Sequence, residues 1–468
     1  MFVRLPLSYE VVIKFLLLIV LGVLLLNIYI LSLIFSSEEV KYKQKNDEVF
    51  IKTQPIKKFK DIHDIKHTSK KAVFVQTNTT KLATKKILEN MAVLGRQVFG
   101  QLLSVKTKRL FQTLLDDVKI TDPTSPDLLK EALKWVSGRQ LFPETSSLPI
   151  GRVLNSLCSS RVEKADNMAE GTQLKLLLTL EGGLKAVFKP QWYKRTEIVT
   201  GNVYAGKDRH NGEVAAFHLS WLLGLRRVPL TVGRRLNLRQ EIMPVGSSSL
   251  LKTFHQEGNN TCFYGVCYYC SPQDPVCASQ DILEGALILW LPQDYTLKKF
   301  RHPWQRTYKS NMPARWELDA DYCQVVRKSD LYSRGPRLLD IIDTAIFDFL
   351  IDNGDRHHYE VFQNINDSAV LFIDNGKSFG NPHVDHIDIL APLYQCCRLR
   401  LTTWTRLLWL RSQSFSDTLR QLLEWSHIAP VLSDPHFTAL DRRLLATIAA
   451  VHLCFTERNG QHNVIVSD

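Results

Sequence analysis

The longest apolar stretch lies near the start of the chain, where the 21 residues from Phe15 to Phe35 carry no charge and are mostly Leu, Ile and Val. At about 1.5 Å per residue, a helix of that length spans roughly 30 Å, the thickness of a bilayer's hydrocarbon core. A cleaved signal peptide has a shorter apolar region, roughly 7–15 residues, that ends at a small-residue site. Ser36-Ser37-Glu38-Glu39 is a poor site of that kind. The pattern predicts a retained transmembrane signal anchor over 15–35. Arg4 and Lys14 precede it and two glutamates follow, so the positive-inside rule leaves residues 1–14 as a cytosolic tail and the rest in the lumen. The expected topology is single-pass, type II.

Residues 36–85 are rich in Lys, Thr, Gln and Asn with little apolar periodicity, which predicts a solvated lumenal stem. From Lys86 a helical pattern begins, and 86–468 is read as one large domain. Leu128 to Val136 repeats its apolar residues at helical spacing after the turn residues Pro123, Ser125 and Pro126. Leu174 to Leu180, then Glu181-Gly182-Gly183, then Ala186 to Lys189 is a hairpin signal. Asn211 to Leu222 follows as a helix, and Leu287 to Leu291, closed by Pro292, as a buried strand. The strongest helix runs from Arg337 to Leu350, with Pro336 suited to its first turn and a wide apolar face of Leu338, Ile341, Ile342, Ala345, Ile346 and Phe349. No internal repeat is present. Strands first and helices afterwards predict a two-lobed α+β architecture.

Composition narrows the class. Hydrophobic content of 45% and aromatic content of 10% are globular values. The formal net charge of +12 suits an anionic partner such as a nucleotide, an acidic proteoglycan core or a membrane surface, while a solvated basic surface is the plainer explanation. No zinc-finger, RNA-binding or basic-zipper spacing accompanies the charge, so no nucleic-acid partner is expected. Eight of nine cysteines fall between Cys262 and Cys454. Cys262 and Cys277 bracket the pair Cys267 and Cys270, a zinc spacing in a reducing compartment and two nested disulfides in an oxidising one. Cys158 is left over and expected to be a buried free thiol. Glycosylation sequons occur at Asn78, Asn259 and Asn366, all on the expected lumenal side.

Candidate chemistry sits just past the strongest helix, in the polar run Asp352-Asn353-Gly354-Asp355-Arg356-His357-His358-Tyr359-Glu360. A loop braced by a core helix is where folds hold reactive groups. Leu371-Phe372-Ile373 then reads as a strand delivering Asp374-Asn375-Gly376. Two acidic loops flanking a short hairpin match the order of phosphoryl-transfer sites in kinases, with Asp355 as catalytic base, Glu360 as the polar residue five positions on and Asp374 as metal ligand. Lys189, ending a strand, fits the phosphate-binding lysine, and Glu213, opening the next helix, fits its partner. The usual glycine-rich loop is missing. Rival readings are a zinc site at His357-His358, which lacks helical ligand spacing, and a structural Asp355–Arg356 ion pair. Trp304, Trp316 and Trp404 are more often core than sugar platforms. His302, Trp304 and Trp316 nevertheless stand as sugar-contact candidates.

The stretches DRHHYE at 355–360 and DNGKSFGN at 374–381 resemble the Golgi secretory-pathway kinases, and its xylose-phosphorylating branch above all. Further matching segments are GTQLK at 171–175, VFKP at 187–190, DRHNGEVAAFHL at 208–219, NNTCFYGVCYYC at 259–270, LILWLP at 287–292, GPRLLDIIDTA at 335–345, ILAPLYQCC at 389–397 and PVLSDPH at 430–436. The resemblance implies an atypical kinase-like fold with a β-rich first lobe and a helical second lobe. It implies Asp355 as general base, Asp208 and Asp374 as metal ligands, and Gln173, Lys189, Glu360 and Asp374 as nucleotide contacts. It further implies Glu213 as the partner of Lys189 and Ile288, Leu289, Trp290 and Leu291 as the adenine hinge. The implied cofactors are ATP and Mn2+, with Mg2+ also compatible with carboxylate ligands. The implied disulfides are Cys262–Cys277, Cys267–Cys270, Cys323–Cys396 and Cys397–Cys454. The implied acceptor is the 2-hydroxyl of xylose in the xylose–galactose linkage glycan on proteoglycan core proteins, in the Golgi. Gly212 departs from the family's common Ala, Gln293 from its usual acidic residue, and Gly376 matches the protein-kinase siblings better. A serine protein kinase is therefore the second reading, and a kinase-fold pseudoenzyme activating a partner the third.

Overall fold

Five strands form one antiparallel sheet, and Lys189 emerges from its centre. The computed structural model describes residues 79–467 apart from 96–104, 123, 145–147, 169 and 310–311. The expected tail, the anchor at 15–35, most of the stem and the Asn78 sequon lie outside these residues. Among the described residues no helix is long and apolar enough to cross a membrane.

The sheet strands are β1 (Val162–Asn167), β2 (Leu176–Leu180), β3 (Leu184–Pro190), β4 (Thr231–Asn237) and β5 (Ile282–Leu289), in the order β1-β2-β3-β5-β4. The β2–β3 hairpin turns at Glu181–Gly183, where Gly182 takes φ 80°, as its glycine pair predicts. Alternate residues of β2 are buried, the pattern of a strand with one face on the core. The apolar run at 287–291 is the end of the longer β5. That strand stops at Leu289, so Trp290 leaves the sheet and is 36% exposed.

Four helices matter for the site. Helix α1 (Thr79–Leu94) packs on α4 (Asp434–Glu457) through buried Thr80, Ile87 and Leu94, with Lys86 paired to Glu457 at 3.0 Å. The expected stem boundary at 85/86 therefore falls inside a docked helix, whose polar outer face conceals its buried stripe. Helix α2 (His210–Leu222) is buried at every residue and lies against β4 and β5. Helix α3 (Arg337–Ile351) is buried at all but one position and ends with Asp352 in the left-handed conformation. The helix expected over 128–136 is Pro126–Leu133, capped by the Ser125 hydroxyl.

Beyond α3, β7 (His358–Phe362) pairs antiparallel with β6 (Leu297–Arg301). The strand expected at 371–373 is a single bridge between Leu371 and Glu360. Successive amides there go to different partners, Leu371 N to Glu360 O and Phe372 N to Arg227 O, both at 2.9 Å. The segment pairs with Glu360 only at Leu371, and a lone bridge without a second pair is not a ladder. All four implied disulfides are formed. Cys158 is free but half-buried rather than buried, and its desolvation pushes the thiol up to about 11. Asn259 and Asn366 are exposed in turns.

Candidate phosphoryl-transfer site

Three carboxylates from three separate segments surround one ammonium group. Lys189 Nζ lies 2.5 Å from Glu213 Oε1, 2.6 Å from Asp374 Oδ1 and 3.2 Å from Asp208 Oδ2. β3 delivers the lysine, α2 the glutamate, the segment before α2 Asp208 and the turn after Ile373 Asp374. Burial alone would lower the Lys189 ammonium, but Asp374, Glu213 and Asp208 override it and raise the group well above its ordinary value. Lys189 in turn holds the Asp374 carboxyl well below the usual carboxylate range, against an opposing effect of desolvation.

Glu213 is saturated. Besides Lys189 it accepts from the Asn375 backbone amide at 2.9 Å and from Asn375 Nδ2 at 3.1 Å. Asn375, where kinases usually carry Phe, thus ties the Asp374 turn to α2. Asp374 differs, because 70% of its side-chain surface remains open.

Lys189, Lys377, whose Nζ is 3.8 Å from Asp208 Oδ1, and Lys175, whose ammonium acts on Asp374, face these three carboxylates. The fit of a cation therefore rests on ligand chemistry, since open carboxylate oxygens are hard ligands suited to Mn2+ or Mg2+. Asp208 and Asp374 fit such an ion. Gly376 makes their approach possible, since a Cβ there would stand 2.6 Å from Asp208 Cγ.

Asp355 sits on the loop after α3, with its side chain 24% exposed. Its Oδ1 accepts from the Tyr308 hydroxyl at 2.5 Å. Arg356 does not pair with Asp355. It forks onto Asp348 at 2.5 and 2.8 Å and donates to Ile373 O and Asn375 Oδ1. That guanidinium locks the Asp355 loop to the Asp374 turn. Asp352 adds a second anchor by accepting from the His386 amide at 3.3 Å and meeting Arg443 at 3.5 Å.

Burial raises the Glu360 carboxyl, on β7, against Arg356 and Lys299, and Asp374 adds to the rise, so this side chain faces the same group. Gln173 is half-buried in the turn entering β2. Ile288 and Leu289 end β5, and the Trp290 amide donates to Lys185 O at 2.9 Å. The sugar candidates fail: Trp304 and Trp316 are 5% and 2% exposed, with their indoles bonded to Gln395 and to Gln305 O. His302 and Trp404 are buried too. His357 holds Tyr308 and the Asp355 carbonyl, with no second ligand to suggest zinc. Sequence reasoning missed Tyr308, Asn375 and Lys175, whose ammonium is lowered by burial and then by Lys189. Lys175 ends the GTQLK segment and could have been found there.

The family described as "Golgi casein kinase, C-terminal, Fam20" matches residues 127–464. The glycosaminoglycan xylosylkinase of Homo sapiens is 52% identical over 338 residues, 72% of this chain and 82% of that protein. Among solved structures, hydra Fam20 with sugar is 46% identical at a TM-score of 0.70, covering 74% of this chain and 99% of that one. The Golgi casein kinase with Mn/ADP bound is 29% identical at a TM-score of 0.70, covering 87% and 96%.

Proposed function

The chain belongs to the Fam20 family, and from that premise we propose that it is an ATP-dependent kinase acting on the 2-hydroxyl of xylose in the proteoglycan linkage glycan. The observation that carries the kinase reading is the convergence of Lys189, Asp208, Glu213 and Asp374 beside an accessible Asp355. The sugar reading is supported by the xylosylkinase relative and by the sugar-bound hydra structure.

In this reading Asp355 takes the proton of the acceptor hydroxyl as it attacks the γ-phosphate. Lys189, held by Glu213, steadies the phosphates, and Gln173 and Glu360 position the nucleotide. The end of β5 and Trp290–Leu291 receive the adenine. Mn2+ or Mg2+ held by Asp208 and Asp374 would offset phosphate charge. Phosphoryl transfer is mostly positioning and electrostatics, which is the work this arrangement of fixed charges performs. The segment 15–35 anchors the protein in the Golgi membrane in type II orientation, residues 36–78 form the lumenal stem, and the disulfides accord with an oxidising lumen. Asn78, Asn259 and Asn366 carry glycans.

The second reading, a serine protein kinase, draws on the casein-kinase relatives in the same family. Incubating the purified protein with labelled ATP, Mn2+ and either a xylose-bearing linkage tetrasaccharide or casein separates the two. Label on the tetrasaccharide supports the proposal; label on casein alone replaces it with the second reading, and label on neither leaves the pseudoenzyme.

A further inference from the structure

We infer that Tyr308 is a positioning residue for the catalytic base and that its ring, braced by Tyr204, is a wall of the acceptor subsite. The hydroxyl half rests on the kinase reading of Asp355, and the wall half also on a glycan acceptor.

The Tyr308 hydroxyl lies 2.5 Å from Asp355 Oδ1 and 2.9 Å from His357 Nδ1. His357 Nδ1 is also 2.7 Å from the Asp355 carbonyl oxygen. A carbonyl only accepts, so Nδ1 carries the proton and donates to both that carbonyl and the tyrosine oxygen. The hydroxyl's own proton is then committed to Asp355 Oδ1. Burial, then the bond to Asp355, pushes the phenol far above its ordinary value, so it stays protonated. One carboxylate oxygen is thus occupied, and Oδ2 is left to meet the acceptor.

The step balances with Tyr308 as a bystander. The acceptor oxygen bonds to the γ-phosphorus, the bond to the β–γ bridging oxygen breaks, and the acceptor proton passes to Oδ2. Tyr308 keeps its proton throughout and fixes which oxygen does the work. Without it the carboxylate is free to turn about its own bond, a misplacement of the kind that lowers turnover sharply.

The ring has a separate role. Tyr308 is 51% exposed, and Tyr204 meets it edge-on with centroids 4.7 Å apart. The Tyr204 loop lies directly on the base loop, because a Cβ at Gly354 would collide with Val203. Arg306, paired to Asp388 at 2.5 Å, anchors the Tyr308 segment. A rigid aromatic corner beside an available carboxylate oxygen suits the apolar face of a pyranose.

The test measures kcat and KM for the tetrasaccharide, KM for ATP and the thermal midpoint in Tyr308→Phe, Tyr308→Ala and Tyr204→Ala. Tyr308→Phe is expected to lose about 10- to 100-fold in kcat with acceptor KM, ATP KM and midpoint unchanged. Tyr308→Ala should lose the same in kcat and also raise acceptor KM by about tenfold, and Tyr204→Ala should raise acceptor KM alone. Wild-type or increased kcat in Tyr308→Phe overturns the positioning role, as does a loss accompanied by a higher ATP KM and a lower midpoint. Unchanged acceptor KM in Tyr308→Ala overturns the wall. Should wild type use casein and not the glycan, the proposed function fails by itself, and Tyr308→Phe read on casein still decides the hydroxyl's role.

Discussion

At the scale of single residues, the account depends on how closely carboxylates can be brought together. Gly376 is the glycine that bears on them directly, since any side chain there presses on Asp208. Gly376→Ala is predicted to weaken Mn2+ binding and lower transfer by about 100-fold, as a small misplacement of reacting groups does. A Mn2+ titration followed by thermal shift, with a transfer assay beside it, checks this; wild-type Mn2+ affinity would show that the glycine is not what admits the ion. Gly212 has a similar explanation. A Cβ there would meet the Ser378 hydroxyl and crowd the Asn375 carbonyl. Lys189, Glu213 and Asp374 were legible in the sequence from residue type and order along the chain, whereas Asp208 came only with the family resemblance. Tyr308 was not. It reaches Asp355 across 47 residues, from a segment with no periodicity to say where it points.

At the scale of elements, α3 and the β2–β3 hairpin were readable because their apolar spacing has one interpretation. The 371–373 segment misled because an apolar triplet does not reveal that a neighbouring chain runs alongside it for only one residue pair. The disulfides then fix elements that packing alone leaves adjacent. Cys323–Cys396 and Cys397–Cys454 close loops of 73 and 57 residues and fasten the short helices at 322–326 and 391–396 to α4. Chain-entropy arguments give about 4 kcal/mol for loops of that size, with measured values of about 2–4. Replacing Cys397 and Cys454 together by Ala should lower unfolding free energy by about that amount in urea, with a steeper slope with denaturant because the unlinked unfolded chain is more expanded. No shift in midpoint would mean that α4 is held by its apolar contacts alone.

For the whole molecule, buried neutral histidines set the response to acid. Desolvation lowers His218 to about 4, His302 to about 3 and His436 to about 4. Each is neutral when folded and takes up a proton near pH 6.5 when unfolded. The unfolded state therefore binds more protons below pH 6.5, so the stability these groups contribute is full above that value. It is lost progressively as pH falls toward 4. By pH 5 the loss is about 2 kcal/mol for each. Thermal midpoints measured from pH 7.5 to 5 should fall steadily, and replacing His218 by Gln should flatten the slope. A midpoint independent of pH across that window would contradict the burial of these rings. The division into a sheet-bearing half and a helical half followed from the order of patterns along the chain. The stem boundary did not, because α1 shows its packing only in the partner it lies against.

The most direct measurement separates binding from transfer in two variants, with ATP affinity and phosphate transfer to the xylose-bearing tetrasaccharide read on the same preparations. Asp355→Asn is predicted to bind Mn2+ and ATP as wild type does while transferring at least about 100-fold less phosphate, and Asp374→Asn to lose metal-dependent ATP binding together with transfer. Transfer at the wild-type rate in Asp355→Asn, or unaltered metal-dependent binding in Asp374→Asn, would contradict the assignment of base and metal ligand on which the function rests.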